Sequence, residues 1–142
     1  MGYRIAIGNA VPRTYTDEED REDKKECGYS DLMVEIITLP DAPSFLGSDR
    51  SNTRSHSGRN WGNFADRVGL TDYFEDRETG LSANCPMLRP ITQDEVDMLH
   101  RQMRNSFPLS HVDEWEYGQL EWFIWWMRWA ITNCENPSIE VD

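Results

Sequence analysis

Leu120-Glu121-Trp122-Phe123-Ile124-Trp125-Trp126-Met127-Arg128-Trp129-Ala130-Ile131 carries four of the chain's six tryptophans. The spacing predicts one helix that begins between Asp113 and Gln119 and runs to about Asn133, with Asn133 and Pro137 as its stop signals. Leu120, Phe123, Ile124, Met127 and Ile131 fall on one face. Trp122, Trp125, Trp126 and Trp129 fall on another, so the helix is apolar nearly all round and belongs at the centre of the fold. Burying one tryptophan removes on the order of 200 Å² from water, which at roughly 25 cal/mol per Å² amounts to about 5 kcal/mol before entropy is subtracted. Surface of that kind must be covered. Intramolecular packing is the leading account, and a homo-oligomer formed through this helix is the other.

Two further helices are expected upstream. Thr92-Gln93-Asp94-Glu95 is a capping box, in which hydroxyl and carboxylate satisfy the free amides of a first turn. Val96, Leu99 and Met103 form the stripe of that helix, Pro90 precedes it and Pro108 lies beyond its end. Trp61, Phe64, Ala65 and Val68 stand at i, i+3, i+4 and i+7, which predicts a short helix over 58–68 with Ser57 as N-cap and Gly69 just past its end. Thr71-Asp72-Tyr73-Phe74 reads as a turn that tucks two aromatic rings against that face.

The strands are read from alternation and β-branching. Tyr3-Arg4-Ile5-Ala6-Ile7 predicts a strand over 3–8, broken by Asn9 and Pro12. Asp31-Leu32-Met33-Val34-Glu35-Ile36-Ile37-Thr38-Leu39 predicts the best strand of the chain, ended by Pro40. The two are expected to pair antiparallel, and Ser138-Ile139-Glu140-Val141 to join as a short edge strand. The expected architecture is α+β: a small antiparallel sheet of two to three strands, about three helices packed on one face, and the Trp-rich C-terminal helix central. Residues 1–142 form a single domain, with an acidic loop at 13–29 and a polar loop at 40–57.

Composition narrows the function classes. At 38% apolar and 28% charged residues the chain is a compact core with polar loops rather than a disordered polymer. No apolar run approaches the roughly 18 residues of a membrane span, and Met1-Gly2-Tyr3-Arg4-Ile5 lacks the features of a secretory signal. Ala6 stands where a myristoylation motif wants Ser or Thr. No membrane partner is expected, and the cytoplasm is the expected compartment. Cys27, Cys85 and Cys134 are odd in number and far apart, so they are read as reduced thiols. A net charge of −12 argues against direct binding of nucleic acid.

The acids themselves carry two readings. Asp17 to Glu26 holds seven acids and three bases, and Ser110 to Asp142 holds seven acids and one base, Arg128. Solubility explains them simply. The sharper reading is a negative surface that docks a basic protein or imitates nucleic acid.

Asp49-Arg50-Ser51-Asn52-Thr53-Arg54-Ser55-His56-Ser57-Gly58-Arg59-Asn60 is the basic island of the chain. It leads into the N-terminus predicted at 58, where free amides and the helix dipole suit an anion. Arg50, Arg54, His56, Ser57, Arg59, Asn60 and Trp61 are therefore the candidate ligand-binding residues, with arginine for bidentate anion contact and Trp61 for stacking. The plainer account is a polar loop whose arginines pair with the protein's own carboxylates. The glycines and lysine of a phosphate-binding loop are missing.

Ser55-His56-Ser57 beside Asp49 has the residue types of a hydrolase triad, without the strand-turn-helix motif that builds one. No catalytic residue, no cofactor and no metal is assigned, because no ligand spacing announces one.

Ile7-Gly8-Asn9-Ala10-Val11-Pro12, Pro40-Asp41-Ala42-Pro43, Ser57-Gly58-Arg59-Asn60-Trp61-Gly62-Asn63-Phe64 and Trp129-Ala130-Ile131-Thr132-Asn133-Cys134-Glu135-Asn136-Pro137 resemble a group of small uncharacterised accessory proteins of actinobacterial tailed bacteriophages. The resemblance spans most of the chain. It implies an accessory protein that acts in the host cytoplasm and antagonises a host defence factor, its partner being a host protein or a nucleotide-like small molecule; the absence of a catalytic motif makes a non-enzymatic role the expectation. The alternatives are an acidic inhibitor that blocks a basic host protein and a small hydrolase.

Overall fold

Gly2–Pro12 forms an eleven-residue strand, β1, around which the sheet is organised. The computed structural model describes residues 2–44, 49–57, 75–76, 81–82, 87–106 and 114–142. Ile5 and Ile7 of β1 are fully buried, and Ala6 and Ala10 nearly so. Both faces of the strand are therefore covered, which explains why it continues past Asn9. Asn9 stays in the ladder because its side-chain oxygen accepts from Asn136 N–H at 2.9 Å. Pro12, without an amide hydrogen, stands at the strand's last position, opposite Leu32.

The sheet has five strands, all paired antiparallel, against the two or three expected. β2 is Leu32–Val34, β3 Thr53–Ser57, β4 Glu75–Asp76, β5 Leu81–Ser82, β6 Met87–Pro90 and β7 Pro137–Val141. β3 pairs with Gly2 to Ala6 and β2 with Ala10 to Pro12. Ile7 N–H donates to Asn52 O at 3.1 Å and Asn9 O accepts from Glu35 N–H at 2.9 Å. Two residues apart on a strand, these groups point the same way, so β3 and β2 succeed one another along one edge of β1. β7 takes the other edge and carries β6 beyond it. β4 and β5 form a separate two-stranded ladder.

Three expectations are corrected by these pairings. The sheet is larger than expected because β3 lies inside the span read as the polar loop 40–57, and β6 precedes the capping box. The strand at 138–141 is interior rather than an edge, paired on both sides. The strand expected over 31–39 ends at Val34, and residues 37–39 turn to run against 50–52. Asn52, fully buried, bridges the place where β2 and β3 part: Nδ2 donates to Ile7 O at 3.0 Å and Glu35 O at 2.7 Å, while Oδ1 accepts from Ile37 N–H at 2.9 Å. One side-chain amide thus replaces ladder bonds that β-branching alone led one to expect.

The expected acidic loop at 13–29 contains a helix, α1, Glu18–Glu26. Asp17 caps it by accepting from Asp20 N–H at 2.7 Å. Acids fill its first turn and Lys24 and Lys25 its last, as the helix dipole favours. Gly28, at φ +89°, ends it in a Schellman pattern: Gly28 N–H bonds Lys25 O and Tyr29 N–H bonds Lys24 O. None of its residues is buried, so apolar periodicity had nothing to report.

α2, Gln93–Ser106, starts at the predicted capping box, where Thr92 N–H donates to Glu95 Oε1 at 3.2 Å and Glu95 N–H to Thr92 Oγ1 at 3.3 Å. Val96 and Leu99 are buried as expected. α3, Glu114–Asn133, is the Trp-rich helix, within the bounds expected for it. It packs on β1 and β7, and α2 packs on α3. α1 buries no residue, so it adds no packed face to that layer. The helix expected over 58–68 and the turn at 71–74 lie outside the described residues.

Candidate functional site

The four tryptophans of α3 do not share one environment. Trp122 and Trp126 are fully buried, together with Leu120, Phe123 and Met127, whereas Trp125 and Trp129 are half-buried. The helix is also not apolar all round. Glu121, Arg128 and Thr132 are exposed at i, i+7 and i+11, a spacing that returns to one face. Trp125 and Trp129 lie along one side of that polar line. With Ile124 and His100 of α2 they line an open groove of about 580 Å³, within the size range of small-molecule sites.

The aromatic wall is held firmly. Trp125 and Trp129 both meet the buried Trp126 edge to face, with centroids 4.9 and 5.4 Å away and interplanar angles of 73° and 74°. Such contacts fix the orientation of both rings. At the rim, Asn133 Nδ2 donates to Trp129 O at 2.9 Å, tying down the last turn.

Arg128 provides the charge. Its Nη2 stands 2.8 Å from His100 Nδ1 and 3.3 Å from Nε2. A guanidinium has only donors, so only an unprotonated ring nitrogen can accept from it, and which of the two does so depends on the tautomer. Partial burial, and then the charges of Arg128 and Arg104, hold the His100 pKa below its ordinary value, with Asp97 pulling the other way. Arg101 and Arg104, one and four residues after His100, are exposed. Arg104 thus adds a second positive charge felt at His100, while Glu121 adds a carboxylate to the groove lining.

The residues expected to bind ligand are placed as follows. Arg50 Nη1 donates to Ala42 O at 2.7 Å and Pro40 O at 3.2 Å. It therefore braces the turn that brings Leu39 N–H to Arg50 O. Arg54 is 3% exposed, and its guanidinium lies 5.5 Å from the Trp122 ring. Burial pushes its pKa down to about 10. His56 and Ser57 occupy β3 opposite Tyr3 and Gly2. Their side chains, and Arg59, Asn60 and Trp61 entirely, lie outside the described residues. The structure thus engages two of the expected arginines within the chain's own loop and core.

The groove was missed by periodicity, which counted Trp125 and Trp129 with the core. The signal was present in part: Glu121, Arg128 and Thr132 interrupt the apolar run on a single face. His100 joins them only through the packing of α2 on α3.

Among the described residues no helix is long and apolar enough to cross a membrane, and no group of three or more His, Cys, Asp or Glu side chains is placed to hold a metal. Comparison of the chain with protein-family models, with curated proteins and with solved structures finds no match, so the arrangement of its own side chains is what bears on function.

Proposed function

We propose that this chain is a non-enzymatic binding protein whose α2–α3 groove takes an anionic, nucleotide-like ligand, and that it serves as a phage accessory protein antagonising a host defence factor in the host cytoplasm. The observation that carries the binding reading is an exposed guanidinium, Arg128, set beside two half-buried tryptophans that are locked edge-on against a third. A base stacked on such a ring gains roughly 1–3 kcal/mol, and arginine is the cation best shaped for phosphate. In a chain of net charge −12 an anion is drawn only to a place where cations gather. The accessory role and the host factor rest on the resemblance of residues 7–12, 40–43, 57–64 and 129–137 to phage proteins. Segment 50–61 is the other contact region of this reading. It ranks second because Arg50 and Arg54 are engaged within the chain.

The test is a thermal shift with nucleoside mono-, di- and triphosphates and cyclic nucleotides. At a ligand concentration a hundredfold above Kd, stabilisation is about 2.7 kcal/mol, or several degrees for a chain of this length. The shift should vanish in Arg128→Ala and in Trp129→Ala. If no member of the set raises the melting temperature, the reading is wrong.

A basic host protein as partner is the second reading, and α1 favours it. Glu18, Glu19, Glu22, Asp23 and Glu26 are all exposed on a helix that buries no residue. Replacing Glu19 and Glu22 by lysine should weaken such a complex and flatten its salt dependence.

A further inference from the structure

We infer that the anionic end of the ligand is a terminal phosphate monoester that enters between Arg128 and His100, and that His100 takes up a proton from solvent as it binds. This rests on the reading of the groove as a nucleotide site and goes further, naming the charged group and a positioning residue for it.

The contact between Arg128 and His100 is the starting point. Nη2 of Arg128 lies 2.8 Å from Nδ1 and 3.3 Å from Nε2 of His100, so a cation sits against the imidazole ring at the groove's edge. A phosphate oxygen is a charged acceptor and makes the stronger hydrogen bond with a guanidinium. It therefore displaces the imidazole from Arg128. Once that happens, His100 faces an anion where it had faced a cation. Its protonated form is then favoured and becomes a second donor to the same phosphate.

The number of donors selects the anion. Arg128 and protonated His100 point at one small region from two helices, α3 and α2. A monoester offers three terminal oxygens and about two negative charges near neutral pH, so it accepts from both. A diester, with two free oxygens and one charge, matches the pair less well. The remaining charged groups near the ring are Asp97 and Arg104 on its own helix. Glu121 is the other titratable group lining the groove. Arg104 strengthens the attraction for a dianion. The ring planes of Trp125 and Trp129, beside Arg128 on α3, supply the surface for the base.

The experiment is isothermal titration calorimetry of the full chain with adenosine monophosphate, adenosine and cyclic adenosine monophosphate. Each titration is run at about pH 7 in two buffers of different ionisation enthalpy. Adenosine monophosphate should bind roughly tenfold or more tightly than either of the others, the equivalent of one charge-assisted contact. Its binding should carry net proton uptake, seen as a buffer-dependent enthalpy. In His100→Gln both the monophosphate preference and the uptake should fall away while the melting temperature stays at the wild-type value. His100→Asn is the second variant if the first loses stability. Binding of the monophosphate without proton uptake, or uptake undiminished in both variants, overturns this inference and leaves the groove reading intact. Failure of all three compounds to bind overturns the inference, and with the thermal-shift outcome it decides the groove reading separately.

Discussion

Arg13 Nη2 stands 2.6 Å from Glu140 Oε2, and the two side chains are 5% and 3% exposed. The residues are separated by 127 positions in the chain. The second carboxylate oxygen of Glu140 accepts from Val34 N–H at 3.2 Å. Arg13 also donates to Ser30 O at 2.8 Å and Leu32 O at 3.1 Å, with its guanidinium 4.8 Å from the centre of the Tyr29 ring. The pair therefore clips β7 to β2 across β1, with Nε and Nη2 of Arg13 and both carboxylate oxygens of Glu140 hydrogen-bonded. Removing one member leaves the other buried and charged, which costs about 3–5 kcal/mol. Glu140→Ala should lower stability by that amount in urea unfolding. The double change Arg13→Met, Glu140→Leu should cost clearly less than the single one, because no orphaned charge remains.

Gly8 is a close-approach point of β1. A Cβ there would lie 3.0 Å from Asn52 Nδ2 and 3.3 Å from Val34 Cγ1. Asn52 cannot yield without loosening its bonds to Ile7 O, Glu35 O and Ile37 N–H. Gly8→Ala should thus destabilise by about 1–3 kcal/mol, through crowding and strained polar contacts together. Chemical denaturation measures it. A variant as stable as the wild type would mean that the amide bridge is slack.

The two buried tryptophans should respond differently to removal of the indole nitrogen. Trp122 Nε1 donates to Ser51 O at 3.3 Å, and its ring faces Arg54. Trp126 is fully buried, and its Nε1 has no hydrogen-bond partner among the described residues. Trp122→Phe loses a hydrogen bond as well as ring area, and leaves a carbonyl to be satisfied. Trp126→Phe loses ring area but also relieves a buried donor. The first should exceed the second by about 1 kcal/mol in paired unfolding curves. Equal losses would refute the difference in their surroundings.

The free protein should lose stability on mild acidification through His100. Its pKa in the folded chain is held down by partial burial, and then by Arg128 and Arg104. In the unfolded chain it titrates near its ordinary value, about 6.5. Between those two values the unfolded state binds more protons than the folded state, so stability rises with pH there and falls as pH drops below about 6.5. The contact is solvent-accessible and the effect correspondingly small. Melting temperatures between pH 7.5 and 5.5 should decline less steeply in His100→Gln than in the wild type, and parallel profiles would remove the proposed coupling.

Helices α2 and α3 were legible from residues a few positions apart. Thr92 and Glu95 satisfy amides of their own turn, and the apolar run from Leu120 reports burial at the helical repeat. α1 escaped that reading because its signals are caps and charges, with Asp17 before it and Gly28 after it. Strand β1 was legible from alternation, though not its length, since Asn9 is kept in the ladder by Asn136, which is distant in sequence. β3 and β6 offered no alternation long enough to read. They exist because β1 and β7 present edges to them.

The candidate site divides along the same line. A central Trp-rich helix, an α+β composition and a charge that disfavours nucleic acid were determined by the sequence itself, because each depends on local spacing or on counts. Which tryptophans face inward, where Asn52 replaces a ladder, and the meeting of Arg128 with His100 were decided only by the tertiary structure. The reason is physical: burial and hydrogen-bond satisfaction are settled between segments far apart in the chain, and α3 acquires an inner and an outer side only when β1 and β7 cover one and α2 borders the other.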